Sequence, residues 1–335
     1  MDNAQLFVIT VVIITLITVG GGISLAIVLY KANSLMNKMK SVPAPDVIPE
    51  HGGHEAGLME TTRTDRWWFE PTWTGLGFLC FVIYANWAGF QGEHYWHGSY
   101  LSPFYSPVLF VDTVRVGAAP IEHAWFGLWP DWLRTIWPPF FPTSPAWLIL
   151  AGPLAFRLTC YYYRKFYYRA YFLNPAACAV GAMPSNILLG PNSDQKYKGE
   201  TALFLFQNLH RFTWYLAVVY IGLLSWDGFL SLWEGGKLFK GEFGIGVGSI
   251  ILIINPLLLA TYTFGCHSCR HLVGGRKNSF SGSIGARIRF SLWKKATWLN
   301  QRHMLCAWMS MIWVGFSDFY VRMCSMGIIN DINTW

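Results

Sequence analysis

Two cysteines and two histidines, Cys266, His267, Cys269 and His271, fall within six positions of the stretch Phe264-Gly-Cys-His-Ser-Cys-Arg-His271. They close a long apolar run, where bare thiols and imidazoles add little to packing, so the cluster reads first as a metal site. Cys-x-x-Cys spacing serves zinc, an iron-sulfur iron or a redox disulfide equally well. On an intact helix Cys266 and Cys269 would share one face and His267 and His271 another, so one small cluster could not easily take all four. A two-iron two-sulfur centre of the Rieske type needs two Cys and two His. The cysteine pair with His210 and His303, both near starts of other apolar segments, would supply them. If the helix frays at Gly265, His271 or His267 could replace either. Haem is the sharpest competitor, because histidines on adjacent membrane helices also suit bis-histidine ligation; zinc would give stability without redox chemistry.

The elements that must position these groups follow from composition. With 335 residues, 53% hydrophobic, 13% charged and eighteen tryptophans, the chain reads as an integral membrane protein. Its seven cysteines show no disulfide framework, and Cys80, Cys160, Cys306 and Cys324, in or beside apolar runs, read as buried packing residues. The net charge of +7 is distributed as membrane orientation requires, which excludes nucleic-acid binding.

Residues 6–30 are long enough to cross a hydrocarbon core of roughly 30 Å as a helix. Asp2 precedes this run and Lys31, Lys38 and Lys40 follow it, so it reads as a retained helix with its N-terminus outside. A polar linker over 41–70 follows, in which His51 and His54 read as solvated. Five further spans are expected at 73–90, 146–163, 205–224, 245–264 and 304–321. Lys and Arg number 5, 5 and 8 in the connections 31–70, 164–202 and 270–302, but 2, 2 and none in 91–143, 225–243 and the last thirteen residues. The positive-inside rule then puts both termini outside. The expected fold is all-α, an integral membrane helical bundle of five core transmembrane helices plus one extra N-terminal helix. Its organisation is 1–40 helix, 41–70 linker and 71–335 anchor domain, with a long outer loop at 91–143. His210, the Cys-His stretch and His303 meet at one inner membrane edge. Asn255-Pro256 reads as a packing kink, and Arg157 as either a snorkelling or a functional charge.

The motifs Asp65-Arg-Trp-Trp68, Tyr100-Leu-Ser-Pro-Phe-Tyr-Ser-Pro107, Arg157-Leu-Thr-Cys-Tyr-Tyr-Tyr-Arg-Lys165, Tyr167-Tyr-Arg169, Pro175-Ala-Ala-Cys-Ala-Val180, Gln207-Asn-Leu-His-Arg211, Cys266-His-Ser-Cys-Arg-His271 and Asp318-Phe-Tyr320 carry a resemblance. Over roughly residues 62–325 the chain resembles the membrane-anchor subunit of an actinobacterial-type succinate dehydrogenase, respiratory complex II. The resemblance implies an anchor in the bacterial inner (cell) membrane that docks flavoprotein and iron-sulfur subunits on its cytoplasmic face. It implies electron transfer from the iron-sulfur subunit to a quinone, expected to be menaquinone, through a Rieske-type 2Fe-2S cluster instead of haem b. The subunit would not be catalytic alone. Cys266, Cys269, His210 and His303 match the ligating types, with His271 and His267 in reserve. Arg211, Trp68 and Tyr161 are inner-edge candidates for quinone contact, and Tyr100 and Ser102 outer-loop ones. The first 61 residues have no counterpart in the resemblance; they read as a replacement for a separate small membrane subunit. A haem-bearing anchor of the same complex or of a fumarate reductase, and a structural membrane subunit with a zinc site, remain the alternatives.

Overall fold

The computed structural model describes residues 69–111, 123–137, 146–164, 204–236, 238–239, 241–275 and 279–334, with only the backbone for 146–148 and 204–208. The expected N-terminal helix, the linker up to Trp68, and Cys178 lie outside the described residues, and the last two linker positions, Phe69 and Glu70, are helical instead. The chain divides into two compact units, 1–77 with 161–206 and 78–160 with 207–335, and the second holds the site below.

Helix α1, Phe69–Gln91, carries Glu70 in its first turn, where an acid favours the helix N-terminus. Its 23 residues extend roughly 34 Å at 1.5 Å each, enough to span. A short hairpin of β1, Trp96–His97, and β2, Tyr100–Leu101, follows, then a 3-10 turn at Pro103–Tyr105. Ser102 starts that turn by accepting from the Phe104 amide at 3.2 Å. The expected long outer loop is thus partly a packed cap: Tyr95, Leu101, Phe104, Tyr105 and Val108 bury against Ala85 and Ala88 of α1. A six-residue helix α2, Asp131–Ile136, lies later in the loop.

Helix α3, Ala146–Thr159, runs for 14 described residues, roughly 21 Å. The single helix expected over 146–163 is broken at Cys160, and helical backbone resumes at 161–164. The Thr159 hydroxyl donates back to the Ala155 carbonyl at 2.7 Å, a bond that competes with the helix ladder. Helices α4, Phe204–Leu230, α5, Val247–Phe264, and, after two short helices, α8, His303–Ser325, are the other long apolar elements. Four helices among the described residues are long and apolar enough to cross a membrane: α1, α4, α5 and α8.

The connection expected over 270–302 is mostly helical instead: α6, His267–Gly274, and α7, Ile284–Asn300. Search by apolar length passes over α7 because its basic residues dilute the hydropathy. Ser283 caps α7 by accepting from the Ala286 amide at 3.1 Å. Arg289 of α7 donates to the Val273 and Gly275 carbonyls at 2.7 and 2.9 Å, satisfying the end of α6.

At the end of the bundle that carries the loop cap, α8 holds a buried ion pair. Arg322 Nε meets Asp318 Oδ2 at 3.0 Å, and both side chains are almost fully inaccessible. Asp318 also accepts from Tyr84 Oη at 2.6 Å and from the Ser102 hydroxyl, while Arg322 reaches Gln91 and the Glu93 carbonyl. Asp331 nearby accepts from Tyr100 and Tyr320, both at 2.5 Å, and from the Gly248 amide at 3.0 Å. Gly248 must lack a side chain there, because a Cβ would stand 2.6 Å from the Tyr100 ring.

Candidate metal centre

The opposite end of the bundle gathers the sulfur and nitrogen donors. Helix α5 stops at Gly265, and Cys266 adopts extended backbone as the N-cap of α6, so the chain does fray where a turn away from the span is needed. This turn points Cys266 at α4: its Sγ lies 2.8 Å from His210 Nε2. The break at Cys160 does the same for α3, whose Cys160 Sγ lies 3.4 Å from His303 Nε2 at the start of α8. Two Cys–His pairs result, and Cys160, Cys266 and His210 are all buried.

Each imidazole is held by a second contact. His210 Nδ1 is 2.9 Å from the Thr159 hydroxyl, whose proton is already donated to Ala155. His210 therefore donates from Nδ1 and offers the lone pair of Nε2 toward Cys266, the arrangement that presents a histidine to a metal. Its ring stacks on Phe156 with centroids 5.1 Å apart and planes 4° apart. His303 stacks on Tyr262 at 5.0 Å, and its buried Nδ1 has no hydrogen-bond partner among the described residues.

Burial pushes the Cys266 thiol up to about 12, with Cys160 and Cys269 adding to the rise. A thiolate is unfavourable there without a compensating cation, which a metal would supply. No three His, Cys, Asp or Glu side chains among the described residues gather as donors for a single ion. Two thiols and two imidazoles are the donor types that a two-iron centre of the Rieske type takes, two of each. The residues thus fit an iron-sulfur cluster of mixed ligation by donor type.

Cys160 was passed over in the sequence because an apolar neighbourhood is what a packing cysteine has; only the fold brings it to His303. Cys269, the third residue of α6, is buried but is not one of the thiols paired with an imidazole. His267 and His271 do share a face, as four-residue spacing requires. They are exposed and meet each other at 3.0 Å, apart from the Cys–His pairs.

Beside this centre lies a cavity of about 250 Å³. Phe81, Leu154, Phe156 and Leu259 give it apolar walls, and Arg157, Asn255 and Ser310 give it polar points. Arg157 does not snorkel: it is 4% exposed, donates to Ser310 Oγ at 2.9 Å and stands over the Tyr262 ring at 5.1 Å. Phe156 belongs to both the cavity wall and the His210 stack. Of the five residues singled out for quinone contact, the four that are described do not line this cavity. Arg211 and Tyr161 are exposed, Trp68 is outside the described residues, and Tyr100 and Ser102 are buried in the loop-end network.

Fold and site together define an all-α integral membrane bundle with a buried Cys–His centre at one end and an apolar cavity behind it. Residues 69–327 match the family of the actinobacterial succinate dehydrogenase subunit SdhC. A chain in the structure titled Mycobacterium smegmatis Sdh1 complex in the apo form is 38% identical, with a TM-score of 0.66 over 85% of this chain and 97% of that one. No curated protein matches. The chain belongs to the actinobacterial SdhC family of succinate dehydrogenase membrane subunits.

Proposed function

We propose that this subunit carries electrons from the iron-sulfur subunit of a succinate dehydrogenase to a membrane quinone, through a 2Fe-2S cluster held by Cys160, Cys266, His210 and His303. The convergence of two thiols and two imidazoles from four helix ends carries the reading. Such a cluster supplies a one-electron relay. Two thiols beside the two imidazoles support this ligand set over bis-histidine haem, which takes imidazoles alone. Thr159 fixes the His210 tautomer, and the buried, aromatic-walled surroundings exclude water from the centre. With the Cys–His end on the cytoplasmic side, the centre faces the soluble partners.

The cavity is the proposed quinone seat, since quinone needs apolar walls and a few polar groups at its carbonyl oxygens. Arg157 would polarise one oxygen, held in place by Ser310. Phe156 bridges His210 to the cavity, and Tyr262 bridges His303 to Arg157, so each imidazole is one ring from the seat. This moves the quinone from Arg211, Trp68, Tyr161, Tyr100 and Ser102 to the interior. Photolabelling of the purified complex with an azidoquinone is expected to mark the peptides holding Leu150–Arg157 and Ser310–Val314. Labelling confined to Tyr161 and Arg211, or to the Tyr100 loop, would place the quinone elsewhere.

A further inference from the structure

Quinone reduction consumes protons as well as electrons, and the distribution of carboxylates bears on where they come from. Asp227, Asp318 and Asp331 all stand at the loop end of the bundle, whereas the Cys–His pairs at the other end contain no acid. Asp318 is locked to Arg322, and Asp331 accepts from two tyrosines and an amide. Asp227 differs: its carboxylate accepts from the Ser106 hydroxyl, and no cation pairs with it among the described residues.

Its position is specific. Ala217, Tyr220 and Leu224 of α4 line the cavity, and Asp227 continues that stripe at the next three-residue step. Ser106 follows Pro103 and Phe104, which line the cavity from the loop cap. Asp227 and Ser106 therefore stand together above the cavity, between it and the loop-end surface, and Asp227 is only partly buried. An ionisable side chain in a spanning helix, aligned with a cavity and without a cation beside it among the described residues, is a functional feature by default.

We propose that Asp227 is the proton relay for the cavity and that protons for quinone reduction enter from the loop end, opposite the soluble partners. This rests on the cavity being the quinone seat. Quinone takes two electrons, supplied by succinate oxidation in the partner subunits, and two protons; each of its oxygens gains one O–H bond. For each proton the carboxyl O–H of Asp227 breaks, and the resulting carboxylate is reprotonated from water at the loop end.

A merely structural Asp227–Ser106 clamp would survive Asp227→Asn, because the amide oxygen still accepts from Ser106; a relay would not. The test uses the whole complex in phosphatidylethanolamine–phosphatidylglycerol vesicles with a pH dye inside. Succinate added outside selects complexes whose loop end faces the lumen. In the unaltered complex, quinone reduction is expected to make the lumen alkaline. In Asp227→Asn the quinone-reduction rate should fall by roughly 100-fold, the low end of what a positioned proton donor contributes. Lumenal alkalinisation should vanish, succinate oxidation by a water-soluble dye should persist, and Asp227→Glu should retain most of the rate. A lumen of constant pH during quinone reduction by the unaltered complex would overturn the proposal, and that arm holds even where the variant does not assemble. An Asp227→Asn complex with normal rate and alkalinisation would overturn it equally. An unaltered complex that oxidises succinate but reduces no quinone would instead refute the function on which the proposal rests.

Discussion

A complex carrying His210→Ala or Cys266→Ser is expected to lose succinate-driven quinone reduction while still oxidising succinate with a water-soluble acceptor. The two side chains meet at 2.8 Å at the junction of α4 and α5, and both are buried. Changing a group that merely supports a metal ligand costs about 10–100-fold in affinity or activity. Removing a ligand outright should therefore exceed roughly 100-fold by the same measure. His267→Ala and His271→Ala are the contrasting variants, since both histidines are exposed and pair with each other; their quinone-reduction rates should stay within a factor of about two, the scatter of a site whose ligand sphere is intact. Steady-state rates with both acceptors decide the matter. Equal losses with both acceptors would mean that assembly, rather than electron transfer, had failed.

The second large effect concerns stability. Arg322→Leu leaves Asp318 as a buried charge with only the Tyr84 and Ser102 hydroxyls donating to it among the described residues. Breaking a buried pair from one side costs about 3–5 kcal/mol, whereas replacing both partners with apolar groups is often neutral. The single variant should unfold at markedly lower temperature in detergent, and Arg322→Leu with Asp318→Leu should recover much of the loss. Equal stability of the single variant and the unaltered protein would show that the pair does not clamp the loop cap to α8.

The long helices were legible from the chain because uninterrupted apolar length is itself the physical requirement for spanning. His210, Cys266 and His303 were legible for a related reason: each lies at a predicted helix end, and antiparallel alternation brings those ends together. Cys160 was not, since nothing in its own neighbourhood distinguishes a ligand from a packing thiol. Its approach to His303 depends on the break after Thr159, where a hydroxyl back-bond competes with the helix ladder. Cys269 shows the converse. Cys-x-x-Cys spacing suggests a shared site, but Cys266 caps α6 in extended backbone while Cys269 lies in its first helical turn. Helix α7 was hidden by its lysines and arginines, which mark it as a connection by charge although its cap and pattern are helical. The cavity was beyond reach for a further reason: Arg157, Asn255 and Ser310 come from three helices, and only packing turns them inward.

The central claim is that Cys160, Cys266, His210 and His303 together hold a 2Fe-2S cluster. Low-temperature electron paramagnetic resonance of the reduced, purified complex, with an optical spectrum of the same sample, tests it most directly. The account predicts a Rieske-type signal that is absent in Cys160→Ser and Cys266→Ser and retained in Cys269→Ser, with no Soret band beyond background. A signal that persists in Cys160→Ser and disappears in Cys269→Ser, or a stoichiometric Soret band, would contradict it.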